Sequence, residues 1–213
     1  MRMRKKTNLI PRMERCSHVQ IKDPAALKGI WLKQNPQMSA LWLELGCGKG
    51  RFTAETAEQN PDVLLVGIEK VADAMVVGME RVCGKGIDNV RFIDTDVLAL
   101  PVLFEQDEVD RIFINFCDPW PRSRDAKHRL TSPGFLELYE SILKPKGEIH
   151  FKTDNQPLFE YSVEVFETGG WTLSEVTRDL HEKGAVGVMT DYEAKFYEQG
   201  VKINRLVAKK EKR

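Results

Sequence analysis

The sequence predicts a doubly wound α/β fold, and three observations support this. Apolar runs recur at residues 41–46, 63–68, 90–93, 109–116 and 147–151 with helical patterns between them. That alternation builds a mostly parallel sheet with helices on both faces. The first run, Leu41-Trp42-Leu43-Glu44-Leu45, breaks into Gly46-Cys47-Gly48-Lys49-Gly50, which describes a buried strand, a tight glycine turn and the start of a helix. Glycines at 46, 48 and 50 allow positive φ and let a ligand approach bare backbone. The second run, Val63-Leu64-Leu65-Val66-Gly67-Ile68, closes on Glu69. Its carboxylate should stand at the tip of the neighbouring strand, within reach of two ribose hydroxyls.

Residues 1–38 show little periodicity and read as a basic N-terminal extension that orders on the body or on a partner. Residues 39–213 then form a single domain, large enough for an independent core. Helices are expected over Arg51 to Gln59, Ala72 to Cys83, Gly134 to Leu143 and Gln156 to Thr168. Pro145 and Gly147 follow the third helix in the order of a helix stop before a strand. Two late strands, near Trp171 to Val176 and Val201 to Ala208, have no helix of similar length between them. They suggest a hairpin closing one edge of the sheet.

Composition excludes several classes. Hydrophobic residues at 42% and charged residues at 30% describe a globular protein, and no apolar run approaches the ~20 residues that span a bilayer. The basic start, Met1-Arg2-Met3-Arg4-Lys5-Lys6, lacks a following apolar stretch, so no secretory signal is expected and a cytoplasmic location follows. Cys16, Cys47, Cys83 and Cys117 form no C-x-x-C pair and have no histidine-spaced partner, so they read as reduced thiols without a metal. The net charge of zero conceals segregation. Residues 1–15, 122–129 and 202–213 are basic, whereas Phe92 to Asp110 carries six acids and no Lys or Arg. Fields act locally over a Debye length of about 10 Å, so a neutral chain can still offer a polyanion one basic face.

The glycine spacing narrows the ligand. A dinucleotide site reads Gly-x-Gly-x-x-Gly and sets a pyrophosphate on a helix N-terminus, but here the glycines alternate and Glu44 precedes them by two positions. A carboxylate beside the loop repels phosphate and attracts a cationic amino acid moiety. S-adenosylmethionine combines an adenosine ribose, a sulfonium cation and an α-amino group without phosphate, so Glu44, Gly46, Gly48, Gly50 and Glu69 are candidate ligands for it. Asp96, after the third strand, is placed to receive the adenine amino group.

The loop after the fourth strand suggests the substrate. It reads Cys117-Asp118-Pro119-Trp120-Pro121-Arg122-Ser123-Arg124-Asp125-Ala126-Lys127-His128-Arg129. Two prolines restrict φ on either side of Trp120, so an acid and an aromatic are held in a stiff turn at a strand's carboxyl end, where ligands bind in such sheets. Four cations follow directly and suit phosphate contacts. Asp154, after the strand Glu148 to Phe151, should face the same pocket as Asp118.

Asp118-Pro119-Trp120-Pro121 with its basic follow-on, Phe151-Lys152-Thr153-Asp154-Asn155, and Thr190-Asp191-Tyr192-Glu193-Ala194-Lys195-Phe196 resemble bacterial tRNA (guanine-N7)-methyltransferases. The resemblance runs from the Met-Arg-x-Arg start to the C-terminal strand. It implies the Rossmann-like class I methyltransferase fold, with seven strands of which the last is antiparallel. It implies methyl transfer from S-adenosylmethionine to N7 of the variable-loop guanosine, nucleotide 46 of tRNA, giving 7-methylguanosine and S-adenosylhomocysteine. Glu44, Glu69, Asp96 and Asp118 would line the cofactor site, with Asp118 also catalytic. Arg122, Asp154, Thr190, Asp191, Tyr192 and Glu193 would contact substrate, and Arg124, Asp125, Ala126, Lys127, His128 and Arg129 would touch RNA. Arg122 departs from the family, where lysine is common, and a planar guanidinium is not interchangeable with an ammonium. A tRNA partner is expected, with no membrane and no obligate protein partner, as a monomer or homodimer. Two other readings are a methyltransferase acting on a small molecule or protein, and a non-catalytic RNA-binding protein of this fold.

Overall fold

Branched and aromatic residues fill the strand-forming runs. In this computed structural model, which describes residues 7–210, they pair into one sheet of seven strands. In chain order these are β1 (Ala40–Leu45), β2 (Val63–Glu69), β3 (Val90–Asp94), β4 (Val109–Asn115), β5 (Leu143–Thr153), β6 (Thr172–Thr177) and β7 (Asn204–Lys209). Across the sheet the order is β3-β2-β1-β4-β5-β7-β6. Strands β1 to β5 pair in parallel, and β7 runs antiparallel to both of its neighbours. The α-helices are α1 (Leu9–Arg15), α2 (Arg51–Gln59), α3 (Ala72–Lys85), α4 (Leu100–Leu103), α5 (Pro133–Ile142), α6 (Gln156–Thr168) and α7 (Asp191–Glu198).

The twofold period of a strand divides the core into two layers. Leu41, Leu43 and Leu45 of β1 join Ile112, Ile114 and Phe151 under Tyr139 of α5 and Phe159 and Phe166 of α6. On the opposite face Leu65 and Phe92 meet Ala54 of α2 and Met75, Met79 and Val82 of α3. Glu44 and Lys152 share this second face, because Glu44 bonds Thr53 of α2 and the Lys152 ammonium lies 5.1 Å from the Phe52 ring centre. The two layers leave the carboxyl ends of β1 and β4 adjacent where the strand order reverses, the crevice in which open α/β sheets bind ligands.

The late strands form the expected antiparallel pair at one edge of the sheet, with a longer connection than expected. β7 is inserted between β5 and β6, and residues 178–203 between β6 and β7 carry α7. Asn204 at the start of β7 donates to the Thr153 carbonyl at 3.0 Å. The connection therefore returns to the same sheet edge as the tip of β5. β5 also starts earlier than expected, at Leu143, with the register against β4 shifted between Val109 and Arg111. Helix and strand thus abut at Ile142 and Leu143, and Pro145 and Gly147 fall within the irregular start of the strand instead of separating the two.

The described part of the N-terminal segment is packed on the body. Trp31 is wholly buried, its indole stacked on Phe104 at 5.3 Å and donating to the Leu103 carbonyl at 3.0 Å. Glu108 accepts from the Gly29 and Trp31 amides, and Arg12 of α1 makes a two-pronged bond to Glu80 of α3. Asp110 accepts from the Leu41 amide and from Lys144. Part of the acidic stretch 92–110 is therefore structural. Periodicity missed this packing because Cys16, Val19 and Trp31 are buried at irregular intervals, and Cys16 and Trp31 lie outside any helix or strand. Arg2, Arg4, Lys5 and Lys6, like Glu211, Lys212 and Arg213 of the tail, lie outside the described residues.

Candidate active site

Gly46, Gly48 and Gly50 all take positive φ, at 72°, 55° and 65°. The loop is pinned to the tip of β2. The Gly46 and Cys47 amides donate to the Ile68 carbonyl, the Gly48 amide to Glu69 Oε2 at 3.0 Å, and the Val71 amide to Glu69 Oε1 at 2.9 Å. A Cβ at Gly46 would meet nothing within 4 Å, and one at Gly48 only the Gly46 carbonyl at 4.0 Å. These two glycines border open space, as a ligand cradle requires. Gly50 does not, since its Cβ would lie 2.7 Å from the Gly78 Cα. Its bareness lets α2 and α3 touch, which corrects its assignment to the ligand surface.

Glu44 lies beneath the loop instead of beside it. It is 2% exposed, and its carboxylate accepts from the Thr53 hydroxyl and from Asn115 Nδ2 at 3.0 Å. Burial pushes its pKa up to about 7, against the opposing pull of these two donors and of Lys152. The Cys47 thiol beside it is raised further by burial and by Glu44 and Glu69. Asn115 Oδ1 is buried without a partner among the described residues.

Three more acids line the same edge. Asp96 caps the turn Val97–Ala99 through the Leu98 amide and lies 3.7 Å from Lys70. Asp118 is exposed beyond β4, and Asp154 is exposed beyond β5. The cap of α6 is Asn155, which accepts from the Leu158 amide, so Asp154 is spared that duty. With Glu69, these carboxylates give the crevice a negative rim at four strand ends, suited to a cationic ligand.

The segment before β7 is fixed by a buried ion cluster. Glu193, fully buried, takes Lys152 Nζ at 2.6 Å and His181 Nε2 at 3.1 Å, and it completes a capping box with Thr190. Lys152 also donates to the Val188 carbonyl, and the Val186 amide donates to His181 Nδ1. That last bond makes Nδ1 an acceptor and places the ring proton on Nε2, facing Glu193. Burial pushes the Lys152 ammonium pKa down, against Glu193 and Glu44. The buried carboxylate of Glu193 is thus occupied internally, which corrects its reading as a substrate contact, while the Thr190 hydroxyl accepts from the Glu193 amide and keeps its own proton to donate. Asp191 pairs with Arg81 at 3.3 Å, and Tyr192 stands 58% exposed.

The basic loop also divides. Arg122, Arg124, Lys127 and His128 are exposed, with Arg122 3.5 Å from Asp125. Arg129 turns inward instead. It donates to the Pro119 and Trp120 carbonyls and lies 4.3 Å from the Tyr161 ring centre. It braces the Asp118 loop, and these bonds occupy much of its donor capacity. Sequence reasoning missed Thr53, Asn115, Lys152 and His181; the available signal was a charged residue, Lys152, alternating into a buried strand. A cleft of about 250 Å³ lined by Leu136, Glu140, Trp171 and Lys210 lies at the far ends of α6 and β7 and holds none of these groups.

Comparison with known proteins agrees with this geometry. Residues 38–206 match a family model described as putative methyltransferase. The tRNA (guanine-N(7)-)-methyltransferase of Clostridium kluyveri is 40% identical over 210 residues, covering 98% of this chain and 99% of the relative. Among solved structures, the 16S rRNA methyltransferase KamB superposes with a TM-score of 0.66 at 16% identity, covering 85% of this chain and 93% of that one. A variant of the 16S rRNA (adenine(1408)-N(1))-methyltransferase of Catenulisporales acidiphilia, solved with cosubstrate SAM, gives 0.60 at 16% identity over 90% and 93%. At such identities the structural likeness establishes the fold.

Proposed function

From the premise that this chain belongs to the tRNA (guanine-N(7)-)-methyltransferase family, we propose that it methylates N7 of a guanine in tRNA with S-adenosylmethionine. The variable-loop guanosine at nucleotide 46 is the proposed acceptor, and 7-methylguanosine and S-adenosylhomocysteine are the proposed products. The carrying observation is that Glu69, Asp96, Asp118 and Asp154 stand at or just beyond the carboxyl ends of β2, β3, β4 and β5, on the sheet edge that also carries the open glycine cradle.

The residues fit the cofactor. Glu69 keeps lone pairs free beyond its two amide donors and would take the ribose hydroxyls. Gly46 and Gly48 leave room for the ligand against the backbone, Asp96 would accept from the adenine amine, and Glu44 would supply charge from below. When bound, the cofactor supplies an electrophilic methyl group on a sulfonium.

Guanine N7 carries a lone pair and no proton, so the protein needs no general base. Its tasks are to hold acceptor and methyl in line and to meet the positive charge that grows on the purine. Asp118 and Asp154, exposed at adjacent strand tips, are the groups to do so, and either can accept from guanine N1 and the exocyclic amine. Adenine would leave that carboxylate facing an acceptor. Arg122, Arg124 and Lys127 would hold backbone phosphates, and Asp191 and the exposed Tyr192 would add further substrate contacts. Incubating the protein with methyl-labelled cofactor and bulk tRNA, then digesting to nucleosides, should yield label in 7-methylguanosine. Label in another nucleoside, or in added protein alone, would reject the proposal.

A further inference from the structure

Trp120 has no assigned part in the site, yet its placement is tightly determined. Of the four tryptophans, Trp31 and Trp171 are buried and Trp42 is stacked under Arg111, whereas Trp120 is 38% exposed. It stands two residues beyond Asp118 with φ at 42°, a left-handed conformation that a bulky side chain rarely adopts. Pro119 and Pro121 flank it, and the Arg129 guanidinium donates to its carbonyl at 2.9 Å. Arg129 is itself stacked over Tyr161. The indole packs against the His128 ring at 5.1 Å, beside the exposed Arg124 and Lys127. Such strain persists only where surrounding contacts over-determine it, and here it holds an aromatic face at the surface between a carboxylate and a cationic patch. Aromatics interleaved with cations are the makings of a base-stacking site.

Resting on guanine-N7 transfer as the reaction, we propose that Trp120 stacks the acceptor purine and that its indole face stabilises the positive charge that develops there. As N7 is alkylated its lone pair becomes the new N–C bond, the C–S bonding pair returns to sulfur, and the positive charge passes from sulfonium to purine. A neutral guanine stacks on any aromatic, but a cationic purine is attracted additionally by the ring quadrupole. The interaction therefore strengthens toward the transition state and raises kcat. Asp118 meets the same charge at the edge of the base while Trp120 meets it on the face.

Two measurements test this on the full-length protein. Trp120→Ala should lower single-turnover methylation of tRNA by about tenfold or more while leaving cofactor affinity unchanged, and Trp120→Phe, which keeps a stacking face, should recover most of the loss. Tryptophan emission of the unmodified protein should be quenched more by 7-methylguanosine monophosphate than by guanosine monophosphate, and Trp120→Phe should abolish that difference. A Trp120→Ala rate equal to wild type, or product quenching unchanged in Trp120→Phe, overturns the proposal. Failure of the underlying reaction is separately visible, because the unmodified protein would then form no 7-methylguanosine.

Discussion

Glu44 links cofactor binding to pH. In the ligand-free protein its burial raises the pKa to about 7, so near pH 6 most molecules carry a protonated Glu44. A cationic ligand above it favours the carboxylate, and binding then expels close to one proton at pH 6. Affinity should rise about tenfold between pH 5.5 and 7 and level off above, since each pH unit below the pKa is worth a factor of ten. Titration calorimetry at pH 6 in buffers of different ionisation enthalpy counts the protons directly. Glu44→Gln is close to isosteric and can keep both partners if the Thr53 hydroxyl turns to accept. It should bind more weakly at pH 8, release no proton and show a flat affinity profile. The folding stability of the unmodified protein carries the matching sign. With a folded pKa above the usual carboxylate value, the Glu44 contribution is complete below about pH 4.5 and is lost as pH rises through 7, so ligand-free Glu44→Gln should gain stability relative to wild type across that window. Equal proton release by mutant and wild type would refute the linkage.

Other outcomes follow from the same geometry. Glu69→Ala should weaken cofactor binding by roughly 1.5–3 kcal/mol by calorimetry, the usual loss for hydrogen bonds to a charged group; unchanged affinity in a folded mutant would remove Glu69 from the ribose. Lys152→Met strands the buried Glu193 carboxylate and should destabilise the fold by about 3–5 kcal/mol in denaturant titration, while Lys152→Met with Glu193→Gln should restore much of that loss. Neutralising Arg124 and Lys127 should flatten the slope of log tRNA affinity against log salt by up to about two units. Arg129→Ala should instead lower kcat by loosening the Asp118 loop, and a slope change there as large as for the other two would contradict its inward role. Asp118→Asn should reduce kcat by about 10² or more with little change in tRNA affinity. Because N7 needs no deprotonation, raising pH should not rescue it.

Much of the frame was legible because strands and helices announce themselves by period. α2 and α6 fall at the expected residues, and the acids at strand tips follow once each strand end is known. Gly50 shows where pattern fails. Its spacing with Gly46 and Gly48 looks uniform, but only the folded chain brings Gly78 against it. The internal partners of Arg129 and Glu193 were hidden for a related reason. A charge in a polar run reads as exposed, and nothing local reveals that Arg129 is claimed by two carbonyls or that Glu193 finds Lys152 across 41 positions. The insertion of β7 between β5 and β6 is likewise a long-range pairing to which local period is blind.

The most direct measurement maps the methyl group on the RNA. A single tRNA transcript with a variable-loop guanosine, incubated with the protein and S-adenosylmethionine, is reduced with borohydride and treated with aniline, which cuts the chain where a guanine carries an N7 methyl. One new cut at the variable-loop guanosine is the expected result, appearing at a rate that Asp118→Asn reduces. Absence of cleavage despite incorporated methyl, or cleavage at another guanosine with the variable loop intact, would contradict the proposed reaction or its proposed acceptor.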